Sequence, residues 1–469
     1  VSKFFVLSSA IFLTACAVGK DYQEPVTQLP SNFSQAQNGL FSSNEVAVSW
    51  WQIFQDKQLN SLINQSLKHN FDIQAASAIL REARELYSQA EYNFFPTVTG
   101  KAGYNEQQRS VGALNNRDFV PRDLKLFNMG FDASWELDLF GRIERNVESS
   151  RDEMQAQEAT LRDVNVSVIA EIARNYFELR GLQNQLSVLK ENLNYQTQLL
   201  NLIRSKFNNG RGTEFDVANA VAQLDNLRST EPNLNAAIQR AIHRLSVLTG
   251  QIPSTLTQEL TPVAPLPAAP KNLAIGNPET LLRRRPDIKI AERLLASSTA
   301  KIGVATADLF PKVTFVGNIS LESTTLSNLV SAGAQSYSFG PRISWAAFDL
   351  GRVYARMKAA DANAEANLAR YQQTVLNALE ETENALSNYN QALQSQQLLE
   401  SSAKASEQAC KLALLRYNEG VSDFSSVLES QLQLARYQSQ LAQNQTTTAT
   451  TLTALYKALG GGWEITEQR

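Results

Sequence analysis

The sequence predicts an α+β membrane protein: a trimeric twelve-stranded β-barrel, four strands from each chain, continued by a long α-helical barrel of coiled coils and built by internal tandem duplication. Three observations predict it. The run from Gly351 to Leu459 contains one internal glycine, Gly420, and no proline, so it must be helical and folded back once. At ~1.5 Å per residue the arm from Arg352 to Glu419 alone is a rod of about 100 Å. The same rod occurs earlier in the chain, because an offset of 210 carries Trp135 onto Trp345, Gly141-Arg142 onto Gly351-Arg352, Phe207-Asn208 onto Tyr417-Asn418 and Gly210 onto Gly420. A second offset, of 215, carries Asp72-Ile73 onto Asp287-Ile288 and Phe95-Pro96 onto Phe310-Pro311; self-similarity of this kind marks a repeat architecture. Between the Phe-Pro pair and the tryptophan of each copy, the apolar period switches from 3.6 to 2.

Composition narrows the functions. A net charge of −3 over 469 residues gives no basic footprint for nucleic acid. Two histidines, His69 and His243, and two cysteines, Cys16 and Cys410, leave almost nothing for metal chemistry or a disulfide framework, so neither a metal nor a cofactor is expected. Cys410 falls on a helical seam and reads as a small core residue. Residues 1–15 read as a signal peptide: Lys3, then an apolar run from Phe4 to Leu13 too short to stay in a bilayer as a helix. Leu13-Thr14-Ala15-Cys16 resembles a bacterial lipobox, which would make Cys16 the lipidated N-terminus; the alternative is an ordinary signal peptide with an incidental cysteine. By resemblance to bacterial lipoproteins, Ala17 rather than Asp after that cysteine points to the outer membrane.

Residues 16–60 form the lipidated leader, with scattered Pro, Gly and Ser and little periodicity until Trp50-Trp51. Phe54, Leu59, Leu62, Ile63 and Leu67 then make a helical stripe. The first structural repeat is 61–255: a helix opened by Asp72 as N-cap and stopped at Phe95-Pro96, a hairpin over 97–138, a long helix and a returning helix that Pro232 should kink. A proline-rich linker, 256–286, includes Pro262, Pro265, Pro267 and Pro270. The second repeat, 287–460, starts its helix at Asp287, has its hairpin over 312–348 and carries no proline in its returning helix; 461–469 is the tail.

In the first hairpin Phe127, Met129, Phe131, Ala133, Trp135 and Leu137 alternate with polar neighbours, and in the second Tyr337, Phe339, Pro341, Ile343, Trp345 and Ala347 do the same. Each strand is about 11 residues, the length a tilted strand needs to cross a bilayer. Four strands cannot close, since membrane barrels start at about eight, and eight enclose no bore; twelve, from three copies, is the smallest open assembly. Leu179, Leu182, Leu186, Leu189, Leu193, Gln196, Leu200, Ile203 and Phe207 step 3-4-3-4 as a coiled-coil seam, and their equivalents, from Tyr389 through Cys410 to Tyr417, make a thinner and more polar one.

Trp50-Trp51 with Phe54 and Asp56, Leu281-Leu282 with Arg284-Arg285-Pro286-Asp287-Ile288, Ala291-Glu292, Ile302-Gly303-Val304-Ala305, Phe310-Pro311 and the ending Tyr456-Lys457-Ala458-Leu459-Gly460-Gly461-Gly462-Trp463 closely resemble the TolC-like outer membrane factors, the OprM-type lipoproteins of tripartite efflux pumps. The match covers the whole mature chain, with one departure, Lys20 in Gly19-Lys20-Asp21-Tyr22 where the family commonly has proline. The resemblance implies a homotrimer set in outer membrane lipid, docked to a periplasmic membrane-fusion adaptor and an inner-membrane RND-type pump. It also implies a periplasmic gate at the two helix reversals, drawn here from Asp423, Ser422, Phe424, Arg416, Arg211 and Asp216, and adaptor-docking turns at Asn208, Gly210, Gly212, Thr213, Asn418, Gly420 and Val421. Where the family often has Gly-Val-Asp, this chain has Gly420-Val421-Ser422-Asp423, so Ser422 and Asp423 are the two alternatives for the position facing the axis.

Three function classes follow. The signal, the hairpins, the hollow-tube helices and the resemblance support a passive exit duct for drugs and other small molecules. A structural coiled-coil outer membrane lipoprotein without a channel would need the rods but leave the hairpins idle. For an enzyme, there is no phosphate-binding glycine loop and no nucleophile motif around either histidine.

Overall fold

The computed structural model describes residues 17–27, 29–36, 39–44, 46–110, 112, 121–268 and 272–463. Cys16, Pro270 and the end of the tail lie outside them. In chain order the elements are β1 (Phe41–Ser42), α1 (Lys57–His69), α2 (Phe71–Glu91), β2 (Thr97–Gln108), β3 (Asp123–Leu137), α3 (Arg142–Asn208), α4 (Glu214–Arg228), α5 (Glu231–Leu248), α6 (Thr257–Leu260), β4 (Leu273–Ala274), α7 (Pro278–Arg284), α8 (Pro286–Ala307), β5 (Lys312–Ser323), β6 (Gln335–Ser344), α9 (Leu350–Asn418) and α10 (Phe424–Ala458). The two rods are single helices of 67 and 69 residues. The chain divides into two compact units, one of residues 1–25, 80–157 and 291–371, the other of 26–79, 158–290 and 372–469.

The first unit holds the sheet. Its order is β2-β3-β5-β6, antiparallel throughout, so the two hairpins are joined through the β3–β5 pairing. Strand β6 runs from Gln335 to Ser344 instead of continuing to Ala347. Trp345 lies just past the end of the ladder, and its indole N–H donates to the carbonyl of Leu309, at 2.9 Å. Its repeat mate Trp135 does the same to Phe94, at 2.8 Å. Each duplicated tryptophan is thus tied to the backbone two residues before the duplicated proline, although both indoles are exposed.

The leader is stitched into this unit. A Cβ at Gly141 would lie 2.5 Å from the Ala17 Cα, and one at Gly19 only 2.7 Å from the Gly303 Cα, so glycine is what lets the strap lie flat. Arg145 then binds Asp21 at 2.6 Å and Glu148 at 2.7 Å, and the Tyr22 hydroxyl donates to Glu292 at 2.9 Å.

In the second unit, helix ends depart from the sequence expectation in a consistent way. Helix α2 starts at Phe71, and its cap is Asn70, whose Oδ1 accepts from the N–H groups of Asp72 (2.9 Å) and Ile73 (3.2 Å); Asp72 sits in the first turn. Helix α8 starts one residue before Asp287, at Pro286, where a missing N–H costs nothing. The returning helix of the first repeat is broken at Ser229–Thr230, with Pro232 in the first turn of α5, whereas its counterpart α10 runs 35 residues unbroken. The first seam is buried at Leu179, Leu186, Leu189, Gln196, Leu200 and Ile203; in the second, Tyr389, Ala392, Ser406 and Cys410 are buried. Arg180, 1% exposed, anchors the linker by donating to the Pro262 carbonyl (3.0 Å) and to Gln183 (2.7 Å), and also to Gln58.

Candidate functional site

Two places carry the candidate residues, the paired turns in the second unit and the sheet in the first. The turns are built alike. Gly210 and Gly420 take φ of 70° and 74°, which a side chain would strain. The N–H groups of Arg211 and Val421 each close the preceding helix by donating to Lys206 (2.8 Å) and Arg416 (2.9 Å), the 6→1 bond of a glycine helix stop. Gly212 is also confined, since a Cβ there would lie 3.2 Å from the Phe207 nitrogen. Asn208 and Asn418 are the last residues of α3 and α9.

The two restarts use different chemistry. Helix α4 begins with a reciprocal capping box: Thr213 Oγ1 accepts from the Asp216 N–H (3.2 Å), and Asp216 Oδ2 accepts from both the N–H (3.2 Å) and the hydroxyl (2.7 Å) of Thr213. Helix α10 begins with Asp423 as N-cap, its Oδ1 accepting from the Ser426 N–H (3.2 Å) and hydroxyl (2.9 Å). Hydrogen bonds from Ser425 and Ser426 hold the Asp423 carboxyl below the usual carboxylate range. Asp423 is exposed, whereas Ser422 is half-buried and its hydroxyl has no partner. Of the two alternatives, the exposed charge is therefore Asp423. Among the described residues it has no salt bridge, and Arg211 and Arg416 are both exposed.

Phe424 is placed beneath the turns, 4% exposed, in a cluster with Leu199, Leu200, Ile203, Ala220, Leu224 and Val427. Its ring lies 5.8 Å from that of Tyr417, and the ammonium of Lys206 sits 3.7 Å over the same tyrosine. Burial, and then the Asp216 charge, push the Tyr417 hydroxyl up. This cluster joins the two turns; sequence reasoning placed Tyr417 on the seam but missed Leu224 in the cluster and Lys206 over the tyrosine ring. Val421, at 67% exposure, and Phe215, at 72%, lie outside it.

The sheet separates two faces. In register, Gly100, Phe131, Ile319 and Tyr337 form one cross-strand row, and Val98, Ala133, Gly317 and Phe339 the next. These rows are apolar yet open: Phe131 is 62% exposed and Phe339 84%. A face like this in water would be a liability, and in lipid it is the required one. The opposite face carries Thr99, Asp132, Asn318 and Ser338 in one row and Lys101, Gly130, Ser320 and Ser336 in the next. Among the described residues the outer sides of β2 and β6 have no partner strand. The sequence had shown the hairpins but not that these two edges stay open.

Comparison with known proteins agrees with this geometry. The outer membrane efflux protein family matches residues 62–251 and 277–461. Nodulation protein T of Rhizobium leguminosarum bv. trifolii is 30% identical over 97% of this chain and 96% of its own length. The structure of the outer-membrane channel OprN superimposes with a TM-score of 0.89 at 39% identity, covering 96% of this chain and all of that one. The open-state MtrE outer membrane channel of Neisseria gonorrhoeae gives 0.83 at 26% identity, over 96% and 99%. With repeat, sheet and turns all accounted for, the chain belongs to the outer membrane efflux protein family.

Proposed function

We propose that three copies of this chain close a twelve-stranded barrel and form the passive exit duct of a tripartite efflux pump, fed by an inner-membrane RND-type pump through a periplasmic membrane-fusion adaptor. One observation carries the reading: a four-stranded sheet with an apolar outer face ends in two open edges, β2 and β6. In hydrocarbon each unpaired backbone group costs several kcal/mol, so only a closed sheet survives. Joining β2 of one copy to β6 of the next satisfies both edges at once. Efflux is the activity, and the chain supplies a path, not a chemical step. Single-channel conductance in planar bilayers tests this; an intact trimer that conducts nothing leaves only a spacer.

Two finer assignments belong to the same reading. Cys16 is the acylated residue: Ala17, its neighbour, is pinned against Gly141 just past the end of β3, where a lipid chain would enter the bilayer beside the sheet. Failure of labelled palmitate to incorporate into the wild-type protein rejects it. Asp423 supplies the charge of the resting gate, and the turns from Asn208 to Thr213 and from Asn418 to Val421 receive the adaptor. Because Asp423 is also a helix cap, Asp423→Asn is the informative variant, since it keeps the cap and removes the charge. Unchanged conductance and unchanged divalent block in that variant would exclude Asp423 from the gate.

A further inference from the structure

The polar face of the sheet carries charges that no part of the mechanism above uses. Asp132 on β3 accepts from the ammonium of Lys101 on β2 and, at 2.6 Å, from the amide of Asn318 on β5. The Ser320 hydroxyl donates to Asn318 Oδ1 at 3.2 Å and lies 3.1 Å from Glu322 Oε1. The run is fixed from behind: Ser320 is 5% exposed and is tucked over Gly130, where a Cβ would come within 2.6 Å of the Ser320 Cα. Three strands are therefore linked by one line, Lys101–Asp132–Asn318–Ser320–Glu322.

Within that line the charges do not cancel. Lys101 is committed to Asp132, and Glu322, exposed and opposite Asn128 in the register, has no salt bridge among the described residues. Nearer the helices, Glu136 is held by Arg142 at 2.7 Å and Lys312 by Asp308 at 2.8 Å, with Arg342 exposed in the Glu136 row. At the other end Arg109 and Arg122 are direct cross-strand neighbours, linked from the Arg109 N–H to the Arg122 carbonyl at 2.8 Å. Along the polar face the charge runs basic, neutralised, acidic, basic.

We propose that the barrel is itself a tiered charge filter, in which Glu322 supplies an unmasked ring of negative charge between the basic residues described at either end of the polar face and Lys101 keeps Asp132 from adding a second. The inference rests on the twelve-stranded reading. Twelve strands spaced ~4.8 Å and tilted ~40° give a bore about 24 Å across the backbone, so wall charges stand roughly 10 Å or less from the axis. That is one Debye length at 0.1 M salt and well inside the ~30 Å length at 0.01 M. Solutes of either sign therefore pass, with small cations favoured at the Glu322 tier, and the preference is screened away at high salt.

The test is the potassium-to-chloride permeability ratio of reconstituted trimers in planar bilayers, in the wild-type and Asp423→Asn backgrounds so that charge at the turns of the second unit does not mask the barrel. At 10 mM salt Lys101→Gln is expected to raise the ratio about threefold and Glu322→Gln to lower it about twofold; at 1 M both differences vanish. Adding Asp132→Asn to Lys101→Gln should restore the wild-type ratio, which lost packing would not do. Equal ratios for wild type, Lys101→Gln and Glu322→Gln at low salt, with conductance intact, overturn the filter. A wild-type trimer without conductance overturns the duct and the filter with it.

Discussion

The two halves of the chain share one plan, and they differ most where each rod turns back. Both reversals end on a glycine at positive φ, but the first restarts on a threonine capping box and the second on a bare carboxylate. The first exposes its phenylalanine, Phe215, whereas the second drives Phe424 into the core. The first returning helix is broken, and the second is continuous. Duplication preserves the backbone geometry that a reversal needs, while the side chains that decide solvent exposure and charge are free to diverge.

Breaking this asymmetry gives the largest expected effect. Phe424→Ala removes the ring that joins the turns and should cost about 3 kcal/mol, read as faster amide hydrogen exchange through the start of α10; Phe215→Ala should stay within about 0.5 kcal/mol. Equal effects would mean that the turns are equivalent after all. Next comes Gly181, where a Cβ would approach the Thr446 methyl to 2.5 Å. Gly181→Ala should destabilise the trimer by about 1–3 kcal/mol through overpacking, seen as a lower thermal midpoint. Its repeat equivalent Gln391 is exposed, so Gln391→Ala should be silent.

The caps sharpen the comparison. Thr213→Ala should cost about 1 kcal/mol locally, and Asp423→Ala should loosen the first turn of α10 more than Asp423→Asn does. Because the folded pKa of Asp423 is depressed, its contribution is present above the ordinary carboxylate value of about 3.9 and is lost as pH falls through the depressed value. Hydrogen exchange at the α10 start should therefore rise below about pH 4 in wild type and not in Asp423→Asn. A smaller effect has the opposite sign: burial, then the Asp287 charge, raise the Asp163 carboxyl, so ionising it opposes folding as pH climbs past about 4. Asp163→Asn should gain a few tenths of a kcal/mol at pH 7 and nothing at pH 3, measured by thermal unfolding at both.

Much of this was legible in the residues. Proline-free runs fixed the rods, alternation over Phe127 to Leu137 fixed β3, and Pro232 marked the broken helix, because each signal is local. Helix starts moved by a residue where a neighbour made the better cap, as Asn70 did for Asp72. The β3–β5 pairing joins strands nearly 190 residues apart and leaves no local trace, so the open edges at β2 and β6 emerged only in three dimensions. The offset of 210 sets Phe424 against Glu214 and Phe215 against Ser425, so the two rings point from different faces of their helices, and only that of Phe424 meets Leu200 and Ile203.

The closing of the sheet is the central claim, and the mass of the folded protein in detergent tests it most directly. Native mass measurement at micromolar protein should give three chains and nothing smaller while the sheet remains folded. A stable, folded single chain, with β2 and β6 unpaired, would contradict it.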